Sequence, residues 1–407
     1  MPYLFEYVER ELATFDQKPF GSVDAAVLSQ ACMIDGARVV PEPPTRPALL
    51  DRVLARLAPD ARGVTFAELA RTEFFDGMFT GLVPGDIQRL LLLLAASPRY
   101  RNLRIHGYQA VFDEAVPTQF AAMTFSWKRA FSFVGFRGTD ISATGWRENF
   151  DMAYEDEVPS QRLAREYLER MMPRLSGAVH VGGHSKGGNL ALYAALTCHE
   201  DVRERIELVW CLDAPGFRAG RFGTEAYAHL GWHADAGGAG AGDAAAAGAG
   251  VQGACKIERF VPQDSIVGML LECPVQPRVV RSSAQGAMQH SLFSWEIAED
   301  RDDFVTVEHL GEGSRALHDI LMEWLASMDP ERCAKVVDAL FAALGASGAR
   351  DARDVFLGGK PFPQLVSDAM RNLDEGSRAV LGAALGELAA ITARRVGRDL
   401  AAAVFGG

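Results

Sequence analysis

The spacing of apolar positions changes character twice along this chain. Over residues 1–100 it is helical. Val23, Val27 and Leu28 follow Ser22, which can cap a helix, and Thr65-Phe-Ala-Glu68 is a capping box ahead of a short helix. Asp86 opens a further helix through a leucine run that Ser97-Pro98 stops, and Pro41-Glu-Pro-Pro44 separates an N-terminal arm from this later part. From about 103 the segments 103–110, 120–126 and 131–136 are short, rich in apolar and aromatic residues and divided by turn-like stretches, which predicts a strand meander. Strand and helix patterns then alternate: helix 160–174, strand 178–181, helix to Cys198, strand 206–212, strand 256–261, helical turn 265–271 and strand 278–281.

That alternation predicts a mainly parallel α/β sheet with helices on both faces and a ligand site outside the carboxyl ends of the strands. After about 312 the helical period returns. Asp329-Pro330-Glu331 is a cap with proline at the first helical position, and Cys333, Val336, Val337, Leu340, Phe341 and Leu344 make one apolar face before Gly345. Residues 377–404 form a further Ala-rich amphipathic helix. The expected organisation is a helical arm (1–100), an α/β core (101–311) and a helical extension (312–407). The extension carries no recognisable chemistry and reads as packing material or a protein-interaction module.

Composition adds constraints. Residues 234–250 are almost wholly Gly and Ala, too poor in apolar bulk to pack, and read as a flexible surface insertion. A formal net charge of -12 argues against nucleic acid or an anionic membrane as the main partner. The six cysteines are scattered with no C-x-x-C pair, as expected of reduced, mostly buried thiols rather than a disulfide framework or zinc site. Neither a metal nor a cofactor is called for. The N-terminus has no basic region or cleavage site of a signal peptide, and the apolar run 90–96 is too short to span a bilayer, so a cytoplasmic protein is expected.

The candidate chemistry centres on Gly183-His184-Ser185-Lys186-Gly187, which fits G-x-S-x-G between a short strand and a helix. A serine at the apex of such a turn is a nucleophile elbow, flanked by glycines because side chains there would clash. The free N–H groups opening the helix, that of Lys186 first, can bind an oxyanion. A serine nucleophile needs a histidine base and a carboxylate to orient it, following in the order acid, then histidine. Asp213 and Asp264 both end strands after Ser185. Asp264, one strand further on, is the favoured acid, while Asp213 before Ala214-Pro-Gly reads as a cap or turn residue. His290, His309 and His318 follow Asp264. His318 lies on a helix face, His309 follows a strand, and His290 sits in a loop beyond the last parallel strand. His184 is expected to point away from the serine, and His180 lies in the strand before it. Upstream, Thr139 in Phe136-Arg-Gly-Thr139-Asp140 either supplies an oxyanion donor or makes local turn bonds.

Phe136-Arg-Gly-Thr139 with Trp146 and Asn149, followed by Gly183-His-Ser-Lys-Gly-Gly-Asn-Leu-Ala191, resembles the class 3 lipases of the α/β-hydrolase fold. The resemblance implies Thr139 and Ser185 as oxyanion-hole residue and nucleophile, and Asp264-Ser-Ile-Val267 as the acid's segment. A closer resemblance is to a poorly characterised bacterial lipase-like branch sharing H-S-K-G-G-N-L-A, D-x-P-G-F and a His-x-x-x-x-Trp block, here His290 to Trp295. It covers roughly residues 1–345, including Ser22-Val-Asp-Ala, and favours His290 over His309. Two departures from true lipases count against neutral fat as substrate: Lys186 is expected to place a cation at the site mouth, and Glu155-Asp-Glu157 makes an oily lid over the site less expected. The leading expectation is an esterase or lipase-like hydrolase acting on a small or lipid-like acyl ester, with Ser185, His290 and Asp264 as triad and Thr139 and Lys186 N–H as oxyanion hole. The alternatives are a lipase-fold binding protein engaging a partner through its C-terminal helices, and an acyltransferase.

Overall fold

A computed structural model describes residues 2–45, 49–50, 53, 63–233, 255–298, 303–346, 370–371 and 373–405; the Gly/Ala stretch 234–250 lies outside them. Helices α1 (Leu4–Arg10), α2 (Ser22–Ala31) and α3 (Pro84–Ala96) precede the sheet. Strands β1 (Arg104–Asp113), β2 (Thr118–Trp127) and β3 (Phe131–Phe136) form an antiparallel meander. Then come α4 (Ala143–Asp151), α5 (Pro159–Met171), β4 (Ala178–His184), α6 (Lys186–Thr197), β5 (Ile206–Leu212), β6 (Ile257–Pro262) and β7 (Arg278–Val280). β3 to β7 lie side by side and parallel. A two-stranded ribbon of β8 (Ile297–Ala298) and β9 (Asp303–Phe304) follows, and β10 (Thr306–Val307) closes the eight-stranded sheet antiparallel to β7. The chain ends in α7 (Glu312–Ala326), α8 (Pro330–Ala346) and α9 (Glu375–Phe405). The fold is α/β, with a mainly parallel core as the alternation predicts.

Both faces of the central strands are apolar, as covered parallel sheets require. Because side chains alternate along a strand, Phe131 and Phe133 of β3 join one core with Phe125, Trp210 and Phe260, whereas Val134 and Phe136 join a second with Val181, Val209 and Leu190. The first core is sealed by α1, α2 and α3, so the N-terminal helices are the cover of one sheet face. Every residue of α2 is buried. Its cap is Gly21, whose N–H donates to Asp24 Oδ2 at 2.9 Å, rather than Ser22. Asp24 also holds the buried guanidinium of Arg99 at 2.6 Å and the Tyr100 hydroxyl at 2.6 Å, locking the arm to the segment entering β1. All six cysteines are free, and all but Cys273 are buried. Among the described residues no helix is long and apolar enough to cross a membrane.

His180, on the buried face of β4, stacks on Phe20 with ring centroids 4.7 Å apart. Burial brings its pKa down from 6.5 to about 4. The unfolded imidazole therefore takes up a proton near pH 6.5 that the folded one refuses until about pH 4, so stability is full above pH 6.5 and declines as pH falls. At pH 4 this group alone is expected to cost about 3 kcal/mol. Urea unfolding across that range is expected to show a shallower decline in His180→Phe than in the parent protein; parallel declines would dismiss the effect.

Candidate active site

β4 ends at His184 and α6 begins at Lys186, leaving Ser185 between them at φ 58, ψ -131. A positive φ is strained for a serine and persists only where the surroundings enforce it. Here the Ser185 N–H donates to Leu212 O at the end of β5, 2.9 Å away. The flanking glycines are sterically required: a Cβ on Gly187 would lie 2.2 Å from Phe136 O, and one on Gly183 would lie 2.4 Å from the Gly187 carbonyl carbon. The turn thus presents Ser185 above the carboxyl ends of β3, β4 and β5. The Lys186 N–H, first of α6, has no acceptor within its own helix.

The carboxylate on His290 is Asp213, which corrects the expectation for Asp264. His290 Nδ1 donates to Asp213 Oδ2 at 2.6 Å. Asp213 is fully buried, and its Oδ1 accepts from Ser265 Oγ at 2.5 Å and Gly268 N at 3.0 Å. It has φ 43, a conformation Asp adopts more readily than most residues. Glycine is sterically required at 268: a Cβ there would stand 2.3 Å from Asp213 Oδ1. Asp264 instead binds the residue before the histidine. Gln289 Nε2 donates to Asp264 Oδ2 at 2.8 Å, and Asp264 N donates to Gln289 Oε1 at 3.0 Å. The indole N–H of buried Trp295 donates to Gln289 O at 2.9 Å. The His-x-x-x-x-Trp spacing is therefore a turn that fixes the histidine from both ends.

Behind the imidazole stands His184. Its Nε2 donates to His290 O at 2.8 Å, its Nδ1 faces Gln30 Nε2 at 3.4 Å, and the two rings lie 4.4 Å apart. Burial, assisted by the neighbouring His290, holds His184 well below the ordinary imidazole pKa, so it remains a neutral prop. Sequence reasoning missed Gln30, which α2 brings to the site from the N-terminal arm. His309 is 73% exposed beside Glu308, and His318 Nδ1 donates to Met269 O at 2.5 Å; neither approaches the role considered for it.

Thr139 follows β3, and its hydroxyl and the Asn149 side chain are mutual hydrogen-bond partners at 2.7–3.0 Å. Gly138 lies so close to the elbow that a Cβ there would be 2.9 Å from His184 O. The Lys186 side chain overturns another expectation. Its ammonium is buried rather than at the mouth, paired with fully buried Glu148 of α4 and donating to Gln119 O at 2.6 Å. Burial pulls its pKa down against the opposing pull of Glu148.

Ser185, His290, Thr139 and Lys186 all line one cavity of about 350 Å³. Its other walls are largely apolar, including Leu82 and Ile87 from the N-terminal region, Trp146 and Phe150 from α4, and Leu321 and Trp324 from α7. The acidic segment expected to discourage an oily cover is turned elsewhere: Asp156 pairs with Arg218, and Glu157 accepts from Tyr193 at 2.7 Å.

No curated protein shows significant similarity to this sequence. A family match does, over residues 94–235 and 238–342, a span that holds Thr139, Ser185, Asp213, Asp264 and His290. The chain belongs to the Mbeg1-like family.

Proposed function

We propose that this protein is a serine hydrolase of esterase type, cleaving a carboxylic ester through an acyl-enzyme on Ser185. The observation that carries the reading is the 2.6 Å bond from His290 Nδ1 to buried Asp213, in a cavity that Ser185 also lines. With Nδ1–H directed at the carboxylate, Nε2 of the neutral ring is the unprotonated nitrogen, the tautomer a general base requires. The resemblance of the Ser185 and Thr139 segments to class 3 lipases supports the same assignment.

Ser185 Oγ attacks the ester carbonyl carbon as its proton passes to His290 Nε2, and the electron pair displaced onto the carbonyl oxygen is held by the N–H groups of Thr139 and Lys186. The tetrahedral adduct collapses, the bond to the alcohol oxygen breaks, and that oxygen leaves with the proton from His290. Water then attacks the acyl-enzyme, giving its proton to Nε2. The second collapse releases the acid and returns the proton to Ser185. Asp213 stabilises the imidazolium throughout without taking the proton. The Thr139–Asn149 pair ties the upstream loop to α4, and the buried Lys186–Glu148 pair holds the start of α6 against the same helix.

A fluorophosphonate probe tests the reading. Labelling of the parent protein at Ser185, lost in Ser185→Ala, is the expected result. Equal labelling of the two proteins would end the proposal.

A further inference from the structure

We propose that the C-terminal helices form the end wall of an acyl-chain channel, and that Leu321 and Trp324 set the longest single acyl chain the site accepts; this rests on the hydrolase reading of Ser185. Trp324 and Leu325 lie three and four residues after Leu321, so each shares a face of α7 with it, and all three line the cavity that holds Ser185 and His290. Leu325 packs beside Leu270, Leu271 and Met152, which continue the apolar lining.

The wall is fixed from both sides. On the cavity side, Ser314 donates to Ser265 O and His318 to Met269 O at 2.5 Å. Ser265 and Gly268 of that same loop seat Asp213, so the wall and the triad share one support. On the outer side, the Trp324 indole N–H donates to Ala384 O of α9 at 2.8 Å, and Arg395 of α9 pairs with Asp319 at 2.9 Å and Glu323 at 3.0 Å. A helix tethered in this way resists displacement by a long ligand. The 350 Å³ volume lies at the small end of ordinary ligand cavities, roughly 300–1,000 Å³. It suits one acyl chain rather than the several of a triglyceride.

Each methylene that enters such a channel is worth about fourfold in kcat/KM, from its transfer out of water. That gain stops where the chain meets the Trp324 ring. The experiment is a chain-length profile with p-nitrophenyl esters from acetate to palmitate on the full-length protein, each variant also titrated with the fluorophosphonate probe to count active sites. The parent profile is expected to climb, peak at intermediate length and fall. Trp324→Ala should move the peak to longer chains, and Leu321→Trp, which adds bulk inside the cavity, to shorter ones. The palmitate-to-butyrate ratio should change by about tenfold or more in opposite directions. Leu321→Trp decides the matter alone if Trp324→Ala does not fold. Probe labelling and ester turnover with an unmoved peak would overturn the wall while leaving the hydrolase intact. Absence of both labelling and turnover in the parent protein would remove the hydrolase reading and the wall with it.

Discussion

Asp213→Asn is expected to lower kcat for ester hydrolysis by about 10⁴-fold, the scale known for the same change in serine-protease triads, and Asp264→Asn to lower it far less. Asn keeps the shape of Asp213 and tolerates its φ of 43. Its oxygen can still accept from Ser265 and Gly268, the partners of Asp213 Oδ1. What changes is the atom facing His290. An amide N–H there cannot accept from Nδ1–H, so the ring turns over to the tautomer with its proton on Nε2, which is useless as a base. At position 264 the carboxylate accepts from Gln289, and an Asn oxygen turned toward the same Nε2 preserves that bond. The check is kcat with p-nitrophenyl butyrate at neutral pH, alongside unfolding midpoints to establish that both variants are folded. Equal falls, or a larger fall for Asp264→Asn, would remove Asp213 from the role.

The confusion between these two aspartates shows where the sequence was legible. Local pattern carried the sheet: the runs rich in apolar and aromatic residues in β2 and β3, the apolar strand before Ser185 and the glycines of its turn are all short-range signals. The acid does not. Asp213 and Asp264 each end a parallel strand, and only the register of β5 beside β4 puts Asp213 next to the elbow, with Leu212 O accepting from Ser185 N. Asp213 before Ala-Pro-Gly looks like a turn residue by composition, because what distinguishes it is burial and three long-range hydrogen bonds. The D-x-P-G-F block of the bacterial resemblance begins at Asp213, but a block match does not by itself separate a turn residue from a buried carboxylate. Similarly, Gln30 reaches His184 across 154 residues of chain, and Trp324 reaches the cavity from a helix whose sequence shows only amphipathic packing. The Gly/Ala stretch 234–250, expected to be a surface insertion, lies outside the described residues.

Lys186→Met is expected to destabilise the fold by about 3–5 kcal/mol, and Lys186→Met combined with Glu148→Gln to recover much of that loss. Read in the sequence, Lys186 beside the nucleophile was a cation for the ligand to meet. In the fold its ammonium is 1% exposed, its partner Glu148 is 0% exposed, and the pair bridges the first residue of α6 to α4. Glu148 also accepts from Gln119 N at 2.9 Å, Ser160 N at 2.8 Å and Ser160 Oγ at 2.8 Å, so β2, α4, α5 and the elbow converge on one carboxylate. Removing the lysine leaves that charge with neutral donors alone in a site closed to water, the condition under which a broken buried pair is most costly. Gln at 148 removes the charge, keeps an acceptor for Ser160, and offers a donor to Gln119 O, which Lys186 has vacated. Urea unfolding midpoints of the single and double variants check this as a double-mutant cycle. A loss below about 1 kcal/mol in Lys186→Met would mean that the pair does not hold the elbow, since exposed pairs lie in that range. A double variant no more stable than the single would mean that the cost lies in lost packing of the lysine stem rather than in the stranded charge.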